Sequence, residues 1–446
     1  MKRPIAKILS LLLLASFCFC LLPVQANAAQ GKCGQSLSWY MDETGKLTIS
    51  GSGAMNDFTE TECPWDRSKV TELVINAGVT SIGAYAFQGS ENLLKVTIAP
   101  SVTQIGDFAF QGCEKLPGIA LPEGVLEIGE NCFADCHHLD TLQLPESLQR
   151  IGSRAFQNCY RLSRAALPGA LQLLGEQAFA SCKALTEVTL PLRDTNIGKN
   201  VFAYTGLTEI IIPEAWKTIP EGMFAGCTAL DSVVLPDGLT AIGDTAFAAC
   251  YLLSDITLPT TLETIGKAAF SACISLTAIQ IPDGVRLIDD GTFSGCTSLA
   301  HVTIGPAVNA IGEAAFAQCA LEQLSLPVSL IRIYDSAFSE CSKLISVTYS
   351  GTQAQWDTIA IGSDNRYLES ATLNVAASVE PTQAPTQPAS QKAASAQTPW
   401  VLIVILVAVG ALLLGAGGMF GALLLLNKKG FFKKQNTPEE QESIHM

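Results

Sequence analysis

One cluster of residue types could bind a metal ion: Cys132, Cys136, His137 and His138. Cysteine thiolates and histidine imidazoles are the usual ligands of zinc. The two cysteines, however, occupy positions of a sequence repeat that are expected to face the core, whereas the two histidines lie in the loop that follows. Because the four side chains would not converge, we predict no metal site here and no cofactor for the chain.

Catalytic chemistry has less support still. The chain has 4 histidines, and besides His137 and His138 only His301 lies in the central region. No serine motif or phosphate-binding loop accompanies them. The net charge of -14 and the pI of about 4.8 remove the attraction to phosphate on which nucleic-acid binding depends. We predict a protein that is not an enzyme and does not bind nucleic acid.

Cysteines are frequent, 15 in all, yet ten of them recur at one position of the repeat. Stacked side chains about 4.8 Å apart do not match disulfide geometry, so we expect these thiols to form a buried ladder of small apolar side chains. Cys33 and Cys63 lie outside the ladder and could form a disulfide with each other. The ladder cysteines are Cys113, Cys136, Cys159, Cys182, Cys227, Cys250, Cys273, Cys296, Cys319 and Cys341.

The repeat itself is marked by twelve phenylalanines, 23 residues apart except for two intervals of 22. An Ile or Leu stands five residues before each Phe and is usually followed by Gly. A period of this length predicts a solenoid in which every unit is one coil. The phenylalanines are Phe87, Phe110, Phe133, Phe156, Phe179, Phe202, Phe224, Phe247, Phe270, Phe293, Phe316 and Phe338.

Each unit also contains a Leu-x-x-Val-x-Ile segment closed by proline, as at Leu276, Ile279, Ile281 and Pro282. Alternating apolar residues predict a short strand, and the proline ends it because it cannot donate the next backbone hydrogen bond. We expect the following Ile-Gly-x-x-Ala-Phe stretch to bring the chain back as a short helical or 3₁₀ turn. Stacked coils would then form a parallel sheet on one face and internal rows of Ile, Phe and Cys.

The unit resembles a known family. Leu253-x-x-Ile256-x-Leu258-Pro259-x-x-Leu262-x-x-Ile265-Gly266-x-x-Ala269-Phe270-x-x-Cys273 is similar to the BspA-like leucine-rich repeat of bacterial surface proteins. The similarity covers about residues 70 to 350. It implies a leucine-rich repeat solenoid of the α/β class, with short parallel strands and short helical or 3₁₀ turns, and an extracellular binding or adhesion role.

Some units depart from the pattern. Ser90 and Thr205 replace the cysteine, Pro220 and Asp289 replace the glycine, and Pro191 to Thr195 breaks a turn. We expect none of these to disrupt the fold, although the Pro191 region is a candidate local irregularity.

The two ends of the chain predict export and anchoring. Lys2, Arg3 and Lys7 precede an uncharged stretch that ends in a small-x-small cleavage pattern, which is typical of a signal peptide. Residues 400–426 carry no charge and are followed by four lysines, which predicts a transmembrane helix with its C-terminal end in the cytoplasm. The expected segments are a signal peptide (1–28), an N-terminal β cap (29–69), about 12 repeats (70–350), a C-terminal cap (351–375), a Pro/Thr/Gln/Ala-rich linker (376–399), a transmembrane helix (400–426) and a cytoplasmic tail (427–446).

Without the signal peptide, span and tail, 20 basic and 38 acidic residues remain, a net charge of -18. The surface available for function is the exposed side of the predicted strands, which has no aromatic residue. Aromatic rings are the usual platforms for sugars, so we favour a protein partner over carbohydrate. We choose an acidic centre formed by Glu187, Glu209 and Asp255 as the contact region. The candidate binding residues are Arg164, Glu187, Glu209, Asp255, Gln280 and His301.

Two functions therefore remain open. The first is a single-pass plasma-membrane protein whose extracellular array binds a protein on a host or neighbouring cell, as an adhesin. The second is a structural spacer or envelope scaffold without a dedicated ligand on the repeat face. Polar residues on an exposed strand suit a solvated sheet equally well.

Overall fold

The computed structural model describes residues 29–193 and 195–376. The predicted signal peptide, transmembrane helix, cytoplasmic tail and all but the first residue of the linker lie outside these ranges. None of the helices in the described part is long and apolar enough to cross a membrane.

An antiparallel β meander begins the described chain. Strands β1 (Ala29–Lys32), β2 (Leu37–Met41) and β3 (Lys46–Gly51) pair in sequence, and β3 then pairs in parallel with the first strand of the array. A 3₁₀ helix follows at Arg67–Lys69, with the Asp66 side chain accepting a hydrogen bond from Ser68 N. This meander covers the first coil and supplies the start of the parallel stack.

Each coil of the array generally contributes two strands. The first comes from the Leu-x-x-Val-x-Ile segment, and we call these the front strands: β5 (Glu72–Ile75), β7 (Lys95–Ile98), β9 (Gly118–Ala120), β11 (Thr141–Gln143), β13 (Arg164–Ala166), β15 (Glu187–Thr189), β17 (Glu209–Ile211), β19 (Ser232–Val234), β22 (Ala278–Gln280), β24 (His301–Thr303), β26 (Gln323–Leu326), β28 (Ser346–Tyr349) and β30 (Thr372–Val375).

In the repeats, the second strand covers the Ile or Leu that precedes the glycine position, and β4 of the N-terminal segment pairs with the first of them. These back strands are β4 (Gly53–Ala54), β6 (Val79–Ile82), β8 (Gln104–Ile105), β10 (Glu127–Ile128), β12 (Arg150–Ile151), β14 (Leu173–Leu174), β16 (Asn196–Ile197), β18 (Thr218–Ile219), β20 (Ala241–Ile242), β21 (Thr264–Ile265), β23 (Leu287–Ile288), β25 (Ala310–Ile311), β27 (Arg332–Ile333) and β29 (Ala360–Ile361).

Strand pairing follows the repeat. Thr141 of β11 lies beside Gly118 of β9, a register of 23 residues. Where the sequence has a 22-residue interval, the register shortens with it, and Ala310 of β25 lies beside Arg332 of β27. The missing residue is therefore absorbed outside the strands, in the loop before the front strand, as surface loops usually allow.

The prediction that the chain returns through a short helical or 3₁₀ turn is wrong. The return consists of a back strand followed by turns in which two residues per coil, such as Phe108 (φ 57°) and Gly112 (φ 68°), take the left-handed conformation. This alternation directs backbone N–H groups to the next coil: the N–H of Phe110 donates to the Cys132 carbonyl, 2.8 Å away. A helical turn would have used those donors within its own coil.

The core is a continuous row of stacked phenylalanines. Successive rings from Phe87 to Phe338 have centroids 5.0 to 6.1 Å apart, and Trp65 of the N-terminal segment stacks on Phe87 at 5.4 Å. The rings from Phe87 onwards are fully buried. Stacked aromatic pairs contribute roughly 0.5–1.5 kcal/mol beyond their buried area, so the row favours many coils over few.

The ten ladder cysteines are buried, and each thiol donates a hydrogen bond to the Phe carbonyl of the preceding coil at 3.0 to 3.4 Å. The structure thus adds a polar role to the predicted apolar one. Thr205, which replaces a cysteine, turns its hydroxyl to the Phe202 carbonyl of its own coil at 2.8 Å. Ser90 is buried, and its hydroxyl has no hydrogen-bond partner among the described residues.

The C-terminal segment covers the last coil with two short helices. Helix α1 (Gln353–Trp356) starts at a capping box formed by Thr352 and Gln355, and helix α2 (Arg366–Ser370) buries Leu368. Between and after them, β29 and β30 continue the back and front stacks in parallel.

Two boundaries between coils lack strand pairing on both faces in the described part of the chain. At the first, β15 is not paired with β17, nor β16 with β18. At the second, residues 255–257 form no front strand, and β21 is not paired with β23. The backbone hydrogen bonds between the turns of adjacent coils continue across the second boundary, where the Phe270 N–H donates to the Thr292 carbonyl at 2.9 Å. The predicted irregularity near Pro191 coincides with the first boundary.

We call these two unpaired boundaries the open boundaries. Each precedes a coil without the usual glycine. In regular coils this glycine touches the preceding coil, and a Cβ on Gly152 would lie 2.5 Å from the Gly129 carbonyl carbon. Pro220 and Asp289 carry side chains at this position, so their back strands cannot approach as closely. Tyr334 occupies it too, yet β27 stays paired with β25, so loss of the glycine alone does not open a boundary.

Candidate functional site

The exposed residues of the front strands form one face, which we call the front face. All six sequence-predicted binding residues are exposed. Five lie on front strands: Arg164 on β13, Glu187 on β15, Glu209 on β17, Gln280 on β22 and His301 on β24. Asp255 is exposed in the coil that has no front strand. The structure therefore places these six residues along a row of coils and does not gather them into one pocket.

Glu187 differs from the other two residues of the predicted acidic centre. The Arg164 Nε lies 3.3 Å from a Glu187 carboxylate oxygen, across the paired strands β13 and β15. The positive charge of the guanidinium offsets the negative charge of the carboxylate. Glu187 consequently adds little to an acidic surface, and the predicted centre reduces to Glu209 and Asp255.

Neutralisation of this kind is common towards the N-terminal end. Glu72 on β5 lies 3.3 Å from Lys46 and 3.2 Å from Lys95. Hydrogen bonds from Lys95 and then Lys46 hold the pKa of the Glu72 carboxyl below its ordinary value. The charge of the Glu72 carboxylate is thus satisfied within the protein.

The middle of the front face is different. Within the described ranges, Glu209, Asp231 and Asp255 have no Lys, Arg or His nitrogen within 4 Å. Lys217 packs its Nζ against Gly238, in the turn after β19. Three neighbouring coils therefore present carboxylates that no described side chain pairs with.

Two aliphatic residues lie beside these carboxylates. Ile211 on β17 is 69% exposed and Val234 on β19 is 52% exposed, and the two are direct neighbours across the paired strands. Sequence reasoning missed them as a site. The signal was present, because outward strand positions elsewhere on this face carry polar or small residues. We call Glu209, Ile211, Asp231, Val234 and Asp255 the front patch.

An open groove borders the front patch where the front sheet is interrupted. It has a volume of about 370 Å³ and is lined by residues that include Asp231, Val234, Asp255 and Thr257. On the loop just before Asp255, Tyr251 is 42% and Leu252 is 54% exposed. The exposed side of the front strands has no aromatic residue among those the structure describes, and Tyr251 on this neighbouring loop supplies one.

Another such loop aromatic is Tyr160, but its two faces are already occupied. The His137 ring stacks on it at 4.9 Å, and the Lys183 Nζ lies 5.3 Å from its centroid. The ring cannot also act as a platform for a sugar. Tyr251 has neither neighbour, yet a single ring gives little basis for carbohydrate recognition.

The cysteine and histidine cluster is split as the repeat pattern predicts. Cys132 and Cys136 are fully buried, and the Cys136 thiol donates to the Phe110 carbonyl at 3.2 Å. His137 stacks on Tyr160 at the surface, and the His138 Nδ1 lies 2.8 Å from the Glu114 carbonyl oxygen. Two side chains point inward and two lie outside, so they do not surround a common point.

Cys33 and Cys63 carry unbonded thiols in the structure. Cys33 is fully buried, and burial raises its pKa to about 11. The Cys63 thiol donates to the Ala86 carbonyl at 3.5 Å, and burial raises its pKa as well. The disulfide between them stays a prediction.

Comparison with known proteins agrees with the geometry. The family model of the BspA type leucine rich repeat region matches six copies, over residues 63–186, 151–277 and 263–361. No curated protein matches the chain. A leucine-rich repeat protein from Bacteroides ovatus is 24% identical, with a TM-score of 0.55 over 78% of this chain and 100% of its own. One from Eubacterium ventriosum is 25% identical, with a TM-score of 0.51 over 80% and 97%.

A third solved structure, a leucine rich cell surface protein from Faecalibacterium prausnitzii, is 25% identical, with a TM-score of 0.41 over 74% of this chain and 97% of its own. The family model matches about two-thirds of the chain. The phenylalanine row, the thiol ladder and the coils that carry them all lie within the matched residues. The chain belongs to the BspA-type leucine-rich repeat proteins.

Proposed function

We propose that this chain is a single-pass cell-surface protein of the plasma membrane whose extracellular array binds another protein, without catalysis, as an adhesion or cell-contact module. Its N-terminal domain would lie outside the cell and its C-terminal tail in the cytoplasm. The ligand would be a protein on a host or neighbouring cell. The uncharged segment 400–426 and the lysines after it support the anchoring part of the proposal.

The observation that carries the binding part is the exposure of Ile211 and Val234 side by side on the front face. A solvated strand gains only modest cross-strand stabilisation from adjacent branched aliphatic side chains and leaves most of their apolar surface in water, whereas the buried centre of a protein interface removes that surface from water. The exposed aliphatic pair therefore favours recognition of another protein over a purely solvated role for this part of the sheet.

A structural spacer is the alternative. In that case the length of the array would matter and the identity of the front-face residues would not. The regular stack of coils and the proline-rich linker that follows it are compatible with this role.

The test displays the full chain on intact cells and measures saturable attachment of a second cell population. One variant carries Ile211→Lys and Val234→Lys, and another lacks one 23-residue unit, residues 123–145. A binding protein loses attachment in the first variant and keeps it in the second. A spacer shows the reverse, and equal attachment by all three chains and by cells without the protein would contradict the adhesion proposal.

A further inference from the structure

We propose that the front patch binds an extended protein segment in which cationic side chains alternate, on one face, with apolar ones. This inference rests on the proposed binding function and names the class of partner. It combines three features of the front patch: its apolar pair, its unneutralised charge and the spacing between the two.

The apolar feature is the pair Ile211 and Val234. Both side chains stand on the outward side of their strands, so the only way to remove them from water is to cover them with another molecule. A partner that places one or two aliphatic side chains here gains the free energy of burying apolar surface. The strands are already ordered, so binding costs them little further conformational entropy.

The charge feature concerns Glu209, Asp231 and Asp255. Some acidic residues along the array have cationic partners on adjacent coils, as Glu187 has Arg164 and Glu127 has Arg150. The three front-patch carboxylates have none among the described residues. A cationic segment would therefore be attracted, whereas an anionic membrane surface or an acidic protein would be repelled.

The spacing feature follows from strand geometry. Glu209 and Ile211 are two residues apart on β17, which places their side chains about 7 Å apart on the same face. An extended chain lying over β17 repeats its own same-face side chains at this distance. A partner with the pattern Lys-x-Leu therefore sets a cation over the carboxylate and an aliphatic side chain over the apolar pair.

The groove beside the front patch gives the partner room. Residues 255–257 form no strand, and the groove lies at this interruption, with Asp231, Val234 and Asp255 among its lining residues. A second lysine side chain can enter there without displacing a front strand. Charge and shape thus favour the same occupant.

The experiment uses the full chain in nanodiscs and fluorescently labelled synthetic peptides. The probe is a twelve-residue peptide of three Lys-Ser-Leu-Ser units. One control peptide replaces the lysines by glutamate and another replaces the leucines by serine. Binding is followed by fluorescence anisotropy at low and at physiological salt.

We expect saturable binding of the Lys-Ser-Leu-Ser peptide and none of the glutamate peptide. The double variant Glu209→Gln, Asp255→Asn should weaken it about fivefold, since exposed ion pairs contribute modestly, and Ile211→Thr, Val234→Thr by about tenfold. The matched control Glu123→Gln, Glu146→Gln removes the same charge from exposed turns outside the front patch and should change the affinity less than about twofold.

Equal binding by the lysine–serine peptide, or equal losses in the control variant, would mean non-specific charge attraction and overturn the proposal. Absence of binding by the probe would also overturn it. Cell attachment in the display experiment separates this failure from that of the proposed function: attachment without peptide binding rejects the partner class alone, and absence of both rejects the binding role.

Discussion

The Cys296 thiol donates a hydrogen bond to the Phe270 carbonyl of the preceding coil, 3.1 Å away. The same contact recurs at every ladder cysteine, so the thiols link each coil that has a ladder cysteine to the coil before it. The carbonyl concerned also accepts a backbone hydrogen bond from within its own coil, from the N–H of Cys273. The thiol therefore satisfies the second acceptor position of a buried oxygen, which a purely apolar side chain would leave unpaired.

Alkaline pH should unfold the array. Burial raises the pKa of Cys227 to about 11 and that of Cys296 to about 12, from an ordinary value of 9.0. The unfolded chain loses these protons at a lower pH than the folded one, so the contribution of these two thiols to stability is complete below pH 9 and is lost as pH rises towards 11–12. Thermal melting between pH 7 and 11 should show a steep fall above pH 9, and the fall should be smaller for Cys227→Ala. An unchanged melting temperature up to pH 11 would contradict this.

The folded protein should also resist thiol alkylation at pH 8. The ladder thiols are buried, and alkylating reagents must reach the sulfur to attack it as a thiolate. Mass spectrometry of the native and the unfolded chain, without reductant, measures both accessibility and bonding. A single bridge between Cys33 and Cys63 would leave these two unreactive even in the unfolded chain, whereas reaction of both would reject that bridge.

Replacing Asp289 by glycine should close the second open boundary. A smaller residue lets β23 approach β21, and the amide at position 289 can then donate to the Ile265 carbonyl, as the Gly266 N–H donates to Ile242 at 2.8 Å. Hydrogen exchange at Thr264–Ile265 and Leu287–Ile288 should slow. Gly152→Ala is the opposite change, because the new Cβ would overlap the Gly129 backbone, and it should cost about 1–3 kcal/mol of unfolding free energy. Unaltered exchange in the Asp289→Gly chain would mean that the boundary has another cause.

The left-handed turn positions allow backbone strain to be tested without steric overlap. Ala272 has a φ of 58°, and Gly89 takes the equivalent position in another coil with a φ of 67°, where an added Cβ would have no atom within 4 Å. Ala272→Gly should raise the free energy of unfolding by up to about 1 kcal/mol, and Gly89→Ala should lower it by about the same amount, because only backbone strain changes. Denaturant unfolding measures both, and shifts of the same sign would refute this explanation.

The ion pair between Arg164 and Glu187 should matter more for recognition than for stability. Its side chains are 77% and 59% exposed, so a double-mutant cycle should give a coupling below about 1 kcal/mol. Arg164→Gln leaves Glu187 unneutralised on the coil that precedes Glu209. It should therefore strengthen binding of the Lys-Ser-Leu-Ser peptide, and weaker binding would argue against charge complementarity.

The amino-acid sequence by itself determined the period, the family and the core. Phenylalanine, cysteine and Ile-Gly recur at fixed spacing, and stacked coils can bury such residues only by aligning them, so burial of the phenylalanine row and of the thiol ladder followed from periodicity alone. The order of coils and the tolerance of the 22-residue intervals followed for the same reason.

Only the tertiary structure decided how each coil returns and which front-face charges remain. The back strand and the left-handed turns arise because N–H groups find partners in neighbouring coils, those of the back strand in the preceding coil and those of the turns in the next. A single unit read by itself favours a local helical turn. Pairing between Arg164 and Glu187 depends on register across coils, which one side chain's type does not reveal. The front patch likewise exists because residues 22 to 24 positions apart in sequence become neighbours when the coils stack.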